Sequence, residues 1–169
     1  ADALAAVDSA YRAASESGDF RVAESRLGDL SAALGDESLA RLMPPSAKEA
    51  AESEAALVSD LLAREAESFF SRGMTVPALQ LYLEALGDAG AGSPSRDAAE
   101  VSKWALRAVA ARDRRAARRL SECLATRGLP APPGAGALLS SKDTMADMRS
   151  GVVTIRVDRG IKIEQGLGS

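Results

Sequence analysis

Three short stretches decide how this sequence folds: GDFRVAE at residues 18–24, GMTVPAL at residues 73–79 and RDRRAAR at residues 112–118. In the first two, a glycine is followed five positions later by an alanine; in the third, arginine replaces the glycine. Each stretch lies between two segments whose apolar residues have helical spacing. The pattern predicts three helical hairpins, each with a small side chain where its two helices touch. The three small residues are Ala23, Ala78 and Ala117.

The first hairpin is predicted from residue 3 to Leu34. Its first helix spans residues 3–16, and Gly35 is expected to end its second helix in the left-handed conformation. Pro44 and Pro45 then end one segment, and Ser46 is placed to cap the next helix. Because 55 residues separate the first two copies of the turn, the gap should hold about one additional helix.

The second and third hairpins are predicted to follow the stretch MPPSAKEAAESE at residues 43–54 and to end at Gly128. A long helix should run to about Phe70 and pair with residues 75–87, and residues 98–111 should pair with residues 114–128. Their turns are 39 residues apart, which is near the period of helical-hairpin repeats. The stripe expected to be buried in the helix over residues 75–87 is Val76, Leu79, Leu83 and Leu86. An irregular helical bundle is the alternative fold.

Composition excludes several kinds of chemistry. The 169-residue chain is 46% apolar and has no histidine, so catalytic triads and histidine metal sites are excluded. Cys123 is the only cysteine, which rules out an internal disulfide and is consistent with a reducing compartment. Glu65 and Glu67 are interpreted as a solvated face rather than a catalytic pair. We therefore expect no enzyme activity, no metal and no cofactor. No apolar run is long enough for an integral membrane segment.

The hairpins resemble tetratricopeptide and pentatricopeptide repeats. The stretches GDFRVAESRLGDLSAALG and RGMTVPALQLYLEALGDAG are similar to the second halves of such repeats. The tetratricopeptide match comprises Gly18, Phe20, Ala23, Gly73, Ala78, Tyr82 and Ala85. It departs in the first helices, where the family's glycine position is Tyr11, Ala66 and Ala105.

The pentatricopeptide resemblance adds a glycine and then a proline after the second helix. These are Gly90 with Pro94, and Gly128 with Pro130 or Pro132; LSECLATRGLPAP is the best single match. Together the resemblances cover about 110 of the 169 residues. They imply a stacked-hairpin fold and a mitochondrial or plastid location more readily than an RNA-reading activity.

Charge is distributed unevenly along the chain. Residues 1–97 carry 8 basic and 17 acidic side chains, whereas residues 98–129 carry 8 basic and 3 acidic ones. Five arginines fall within eight residues of the last hairpin, on the side of the helix opposite Leu120 and Leu124. They are candidates for contact with a partner's carboxylates or with phosphate, and a solvated face is the alternative. The five are Arg112, Arg114, Arg115, Arg118 and Arg119.

RNA is a weaker candidate partner than protein. The acidic first hundred residues would repel a phosphate backbone, and the arginines lie on a second helix. In pentatricopeptide proteins the first helix reads RNA. Here only Ser102 and Lys103 lie near that reading position. Two or three repeats would also read too few bases to specify a site.

The segment after residue 129 is predicted to be a separate kind of structure. Residues 130–169 are predicted to comprise a Pro/Gly linker that includes the stretch PAPPGAG, a short helix capped by Ser140 or Ser141, and a β-hairpin whose residues alternate over 152–164. The hairpin's apolar residues could pack on the chain's own helices or add strands to a partner. These residues are Val153, Ile155, Val157, Ile161 and Ile163.

Three functions are compatible with the sequence. The favoured one is a non-catalytic scaffold or accessory subunit that binds other protein subunits of a larger assembly. A small RNA-associated repeat protein is the second. The third is a helical adaptor domain that binds short peptide motifs, for which ALQLYLEAL would suit the second helix.

Overall fold

The computed structural model describes residues 2–87 and 96–141. These residues are mostly helical and contain no strand, which confirms packed helix pairs for this part of the chain. Contacts divide the chain after Leu139, and the fold described here is that of the unit ending there. Its helices are α1 (Asp2–Ser17), α2 (Phe20–Gly35), α3 (Glu37–Ala40), α4 (Pro45–Glu52), α5 (Glu54–Ser71), α6 (Thr75–Leu86), α7 (Ala98–Ala110), α8 (Arg114–Ala125) and α9 (Ala135–Ser140).

The three hairpins share one turn geometry. The first or second residue after the first helix has a positive φ in each: 80° at Gly18, 79° at Gly73 and 56° at Arg112. In each, the next amide donates to a carbonyl five residues earlier, as in the left-handed end of a helix. These bonds are Asp19 N to Ala14 O (2.9 Å), Met74 N to Phe69 O (3.0 Å) and Asp113 N to Ala108 O (3.0 Å). The three alanines that follow, Ala23, Ala78 and Ala117, are fully buried.

Two apolar cores meet at α5. One lies among α1, α2, α4 and α5, with Leu27, Leu30 and Leu61 buried in it. The other lies among α5, α6, α7 and α8 and is centred on Trp104, whose ring stacks on Tyr82 with centroids 4.5 Å apart. Because Leu61 faces one core and Ala66 faces the other, α5 joins the first hairpin to the last two.

The long helix predicted to run to about Phe70 is present as α5, and the chain breaks just before it, at Ser53. The amide of Ser53 closes α4 by donating to the carbonyls of Glu49 and Ala50, and α5 starts at the next residue. The break lets α4 pack its alanines on the first hairpin. Ser46 does not cap this helix; it lies inside α4 and donates to Asp8 Oδ2 at 2.7 Å.

Gly35 does not take the left-handed conformation. It is the last residue of α2, and the extended Asp36 follows, accepting from Ser38 N and Leu39 N to begin α3. The gap between the first two hairpins thus holds the four-residue α3 as well as α4.

The predicted buried stripe of α6 is displaced around the helix. Val76 is 57% exposed, Leu83 and Leu86 are half-buried, and only Leu79 of the predicted set is buried. The buried face consists of Ala78, Leu79, Tyr82 and Ala85. Aromatic Tyr82 reaches Trp104, so the helix turns this side toward the core.

A helix, α9, begins after Gly134, within the predicted Pro/Gly linker, and ends at Ser140. Gly134 has φ 84°, and a Cβ there would lie 3.2 Å from Val109 Cγ1, so a close approach to α7 requires glycine. The β-hairpin predicted over residues 152–164 and the body of the short helix predicted after Ser141 lie outside the described residues.

Candidate partner-binding surfaces

Helix α8 presents a sharply divided surface. Asp113 caps it by accepting from Ala116 N at 2.9 Å, the local reason that the helix starts here. Its buried side consists of Ala116, Ala117, Leu120 and Leu124. These residues pack into the second core, so the arginines on the other side project away from it.

The five arginines predicted as contacts differ in their exposure and in their hydrogen bonds. Arg114 is half-buried and donates to Leu139 O at 3.3 Å, and Arg119 is exposed and donates to Gly87 O at 3.4 Å. Arg112, Arg115 and Arg118 are exposed and form no ion pair or side-chain hydrogen bond with any residue in 2–87 or 96–141. We term these three arginines the basic face.

Most other basic side chains in the described ranges are engaged within the protein. Ion pairs involve Arg12, Arg26, Arg41, Lys48, Arg96, Lys103 and Arg107. Bonds to carbonyl oxygens hold Arg64, Arg72 and Arg127. Apart from the basic face, Arg21 is the one exposed arginine without such a contact in the part of the chain that the structure describes.

Arg21 occupies the position in the first hairpin that Arg115 occupies in the third. The two residues lie at the same distance before the buried Ala23 and Ala117, and both are exposed. Arg26 is the other arginine of α2, and it lies 3.1 Å from Asp29, so Arg21 has no unpaired arginine beside it among the described residues. Arg112 and Arg118, in contrast, both lie within three residues of Arg115. Arg21 is therefore a matched reference for the effect of a single exposed arginine.

A cleft of about 560 Å³ separates α6 from α8 and opens beside the basic face. We call it the α6–α8 cleft. Buried Ala116 and half-buried Leu83 supply apolar surface, and the two helices bring acidic and basic groups to its walls. The lining residues are Gln80, Leu83, Glu84, Gly87, Asp113, Arg115, Ala116 and Arg119. A volume of this size is typical of sites that enclose a small ligand or a few side chains.

The residues predicted to contact RNA lie on α7. Ser102 is half-buried, and the ammonium of Lys103 lies 3.3 Å from Glu67 Oε1 on α5. Glu67 also accepts two bonds from the Arg107 guanidinium, at 2.6 and 2.8 Å. These bonds, the Arg107 pair first, lower the pKa of the Glu67 carboxyl to about 2. Lys103 is thus used to join two helices of the protein.

A second groove, of about 500 Å³, runs across α1, α5 and α7. Its cations already have partners: Arg96 lies 3.0 Å from Asp60, and Arg64 donates to Ser15 O at 2.6 Å. Desolvation raises the pKa of the Tyr11 hydroxyl, which lines the groove. Because the charged groups of this groove already pair with one another, the groove is a weaker binding site for an anion than the basic face is.

The candidate strand contacts Val153, Ile155, Val157, Ile161 and Ile163 lie outside the described residues. Within the described ranges, no helix is long and apolar enough to cross a bilayer. No group of three or more carboxylate or thiolate side chains there is arranged to hold a metal ion.

Comparisons with protein families, with curated proteins and with solved structures find no match to this chain. The tetratricopeptide and pentatricopeptide resemblance therefore stays a prediction.

Sequence reasoning missed the α6 wall of the cleft. Gln80 and Arg119 are 39 residues apart, the same offset that relates Ala78 to Ala117, and both line the cleft. The repeat offset was thus an available signal for this one pair of residues, but not for the other residues that line the cleft.

Proposed function

We propose that the protein is a non-catalytic helical-hairpin scaffold or accessory subunit that binds an acidic surface of a protein partner through the basic face. The main support for the proposal is that Arg115 and Arg118 are exposed and form no ion pair with any residue in the described ranges. Elsewhere in those ranges, nearly every basic side chain is matched to a carboxylate or a carbonyl oxygen.

The proposal has a simple electrostatic basis. Like charges on adjacent turns of a helix destabilise it, and Arg115, Arg118 and Arg119 are neighbours at this spacing. A partner's carboxylates would relieve that repulsion. Arginine is suited to this contact because its planar guanidinium can hold a carboxylate by two parallel hydrogen bonds.

Protein is favoured over RNA by the surroundings of the basic face. Glu84 and Asp113 line the adjacent cleft and would repel any anion placed there, so the basic face can hold a short acidic surface but not a phosphate chain that continues across the cleft. Lys103, which RNA binding would require on the first helix, is paired with Glu67. Three exposed arginines suit a short acidic surface better than an extended backbone.

Affinity capture from the native source, with nuclease added, tests the proposal. The baits are the wild-type chain, Arg115→Gln/Arg118→Gln and the matched control Arg21→Gln. We expect a protein that is retained by the wild type and by the control and is lost from the double variant. Identical protein sets on all three baits, or loss of all capture after nuclease treatment, would contradict the proposal.

A further inference from the structure

We infer that the partner presents a short amphipathic acidic segment, which places an apolar side chain in the α6–α8 cleft and its carboxylates against the basic face. The inference rests on the proposed function and specifies the chemistry of its ligand. It follows from the position of Arg115, which belongs both to the wall of the cleft and to the basic face.

The cleft supplies a place for an apolar group. Leu83 is half-buried and packs at the edge of the second core, and Ala116 is buried beneath the opening of the cleft. A leucine or similar side chain entering between α6 and α8 would bury its own surface and that of Leu83. This gain adds to any electrostatic attraction and, unlike that attraction, is not screened by salt.

Charged residues at the rim of the cleft would favour an acidic ligand. Arg115 and Arg119 lie on the α8 side, and Arg118 follows on the same exposed surface of the helix. On the α6 side stand Gln80 and Glu84, and Asp113 lies at the start of α8, so the positive charge is confined to the part of the rim formed by Arg115 and Arg119. A segment with carboxylates along one edge and apolar residues along the other matches this arrangement, with its acidic edge over α8.

Gln80 offers a clean way to alter the cleft without altering the fold. Its side chain is exposed, lines the cleft and makes no ion pair or side-chain hydrogen bond among the described residues. Exposed substitutions of this kind usually leave stability nearly unchanged. Changing the charge at Gln80 therefore reports on a ligand seated in the cleft rather than on folding.

The test uses the full chain and a labelled synthetic helical peptide with glutamates on one side and leucines on the other, followed by fluorescence anisotropy. Three reference probes accompany it: the same peptide with serine in place of leucine, a scrambled peptide of the same composition, and a single-stranded RNA. Binding is measured for the wild-type chain and for four separate variants: Arg115→Gln/Arg118→Gln, Arg21→Gln, Gln80→Glu and Gln80→Lys.

We expect the amphipathic peptide to bind the wild type and the Arg21→Gln chain equally. Gln80→Glu should raise its Kd and Gln80→Lys should lower it, each by up to about fivefold, which is the largest effect that one charge has across about 4 Å of water. The serine peptide should bind at least about tenfold more weakly, because the apolar anchor is missing.

Two outcomes separate failure of this inference from failure of the proposed function. If the Gln80 variants and the serine peptide change nothing while Arg115→Gln/Arg118→Gln still weakens binding, the basic face binds acidic protein but the cleft holds no anchor. If that double variant binds every probe like the wild type, both proposals fail. Absence of binding by the amphipathic peptide, equal binding by the scrambled peptide, or tighter binding of RNA would likewise overturn the inference.

Discussion

Arg112 adopts a backbone conformation for which the two equivalent turns use glycine. Its φ of 56° lies in the left-handed region, where a side chain costs about 1–2 kcal/mol relative to the right-handed helix. Gly18 and Gly73 avoid this cost at the same place in their hairpins. Because Arg112 is also exposed, its side chain brings no burial that would offset the strain. We therefore expect Arg112 to contribute to the proposed contact between the basic face and a partner.

Replacing Arg112 with glycine should stabilise the protein and weaken partner binding together. We expect the free energy of unfolding to rise by about 0.5 kcal/mol, since relief of strain exceeds the entropy that glycine adds to the unfolded chain. Chemical denaturation measures the change. The reverse substitution, Gly73→Arg, should destabilise by a similar amount, because a Cβ there meets no atom within 4 Å and only the backbone conformation is affected. A loss of stability in Arg112→Gly would show that the arginine has a structural contact.

Ala78 tests the close contact within the second hairpin. It is fully buried in α6, where the sequence repeat predicted a small side chain between paired helices. Ala78→Leu should lower the free energy of unfolding by about 1–3 kcal/mol through overpacking. The exposed Val76→Leu, two residues earlier on the same helix, is the control and should change stability little. Unchanged thermal stability of Ala78→Leu would mean that the hairpin has room at this point.

At the scale of the helices, Glu67 is the principal ionic link between α5 and α7. It pairs with Lys103 and with Arg107, whose guanidinium also lies 3.7 Å from the centroid of the Phe70 ring. The Arg107 side chain is only 15% exposed. Arg107 thus combines an ion pair, two hydrogen bonds and stacking on an aromatic ring. A lysine could not make the same set of contacts, because it lacks the planar guanidinium.

The pH dependence of stability should report this link. The pKa of Glu67 is lowered from 4.5 to about 2, so its contribution is complete above about pH 4.5 and is lost as the pH falls toward 2. Because Glu67 is half-exposed, Glu67→Gln should cost about 0.5–1 kcal/mol at neutral pH. Denaturation across this range should show the wild type and Glu67→Gln converging at low pH. Glu65→Gln, on the same helix, should follow the wild type; a constant gap between wild type and Glu67→Gln would contradict the assignment.

The helix pattern could be predicted where a turn carries a local signal. The spacing from Gly18, Gly73 and Arg112 to the following alanines placed all three hairpin turns correctly. The break at Ser53 had no such signal, because the surrounding residues are good helix formers. It arises from packing, since α4 buries Ala47, Ala50 and Ala51 against the first hairpin.

The candidate site was predictable in part, for a related reason. A helical wheel placed the arginines opposite Leu120 and Leu124, and these leucines are buried. It could not show that Arg114 reaches Leu139 O or that Arg119 reaches Gly87 O, because those acceptors come from segments distant in sequence. The cleft wall formed by α6 depends on how two hairpins pack, which apolar spacing within one helix does not specify.

For the molecule as a whole, the uneven charge distribution has a functional meaning only if the basic face is the point of contact. Residues 1–97 are strongly acidic, and residues 98–129 form a basic region on the same chain. Such asymmetry orients an approaching acidic partner and raises its association rate at low ionic strength. An RNA-binding track would instead require positive charge along all the hairpins.

The most direct measurement is the Kd of the captured protein partner for two charge-reversal variants at one fixed salt concentration. Arg115→Glu/Arg118→Glu replaces attraction with repulsion on α8, and Arg21→Glu makes the same type of change at the equivalent position of the first hairpin. Our account predicts that the double variant raises Kd by at least about tenfold, that Arg21→Glu leaves it near the wild-type value, and that circular dichroism of all three chains is the same. An equal Kd for the wild type and the folded double variant, or an equal loss of affinity in Arg21→Glu, would contradict it.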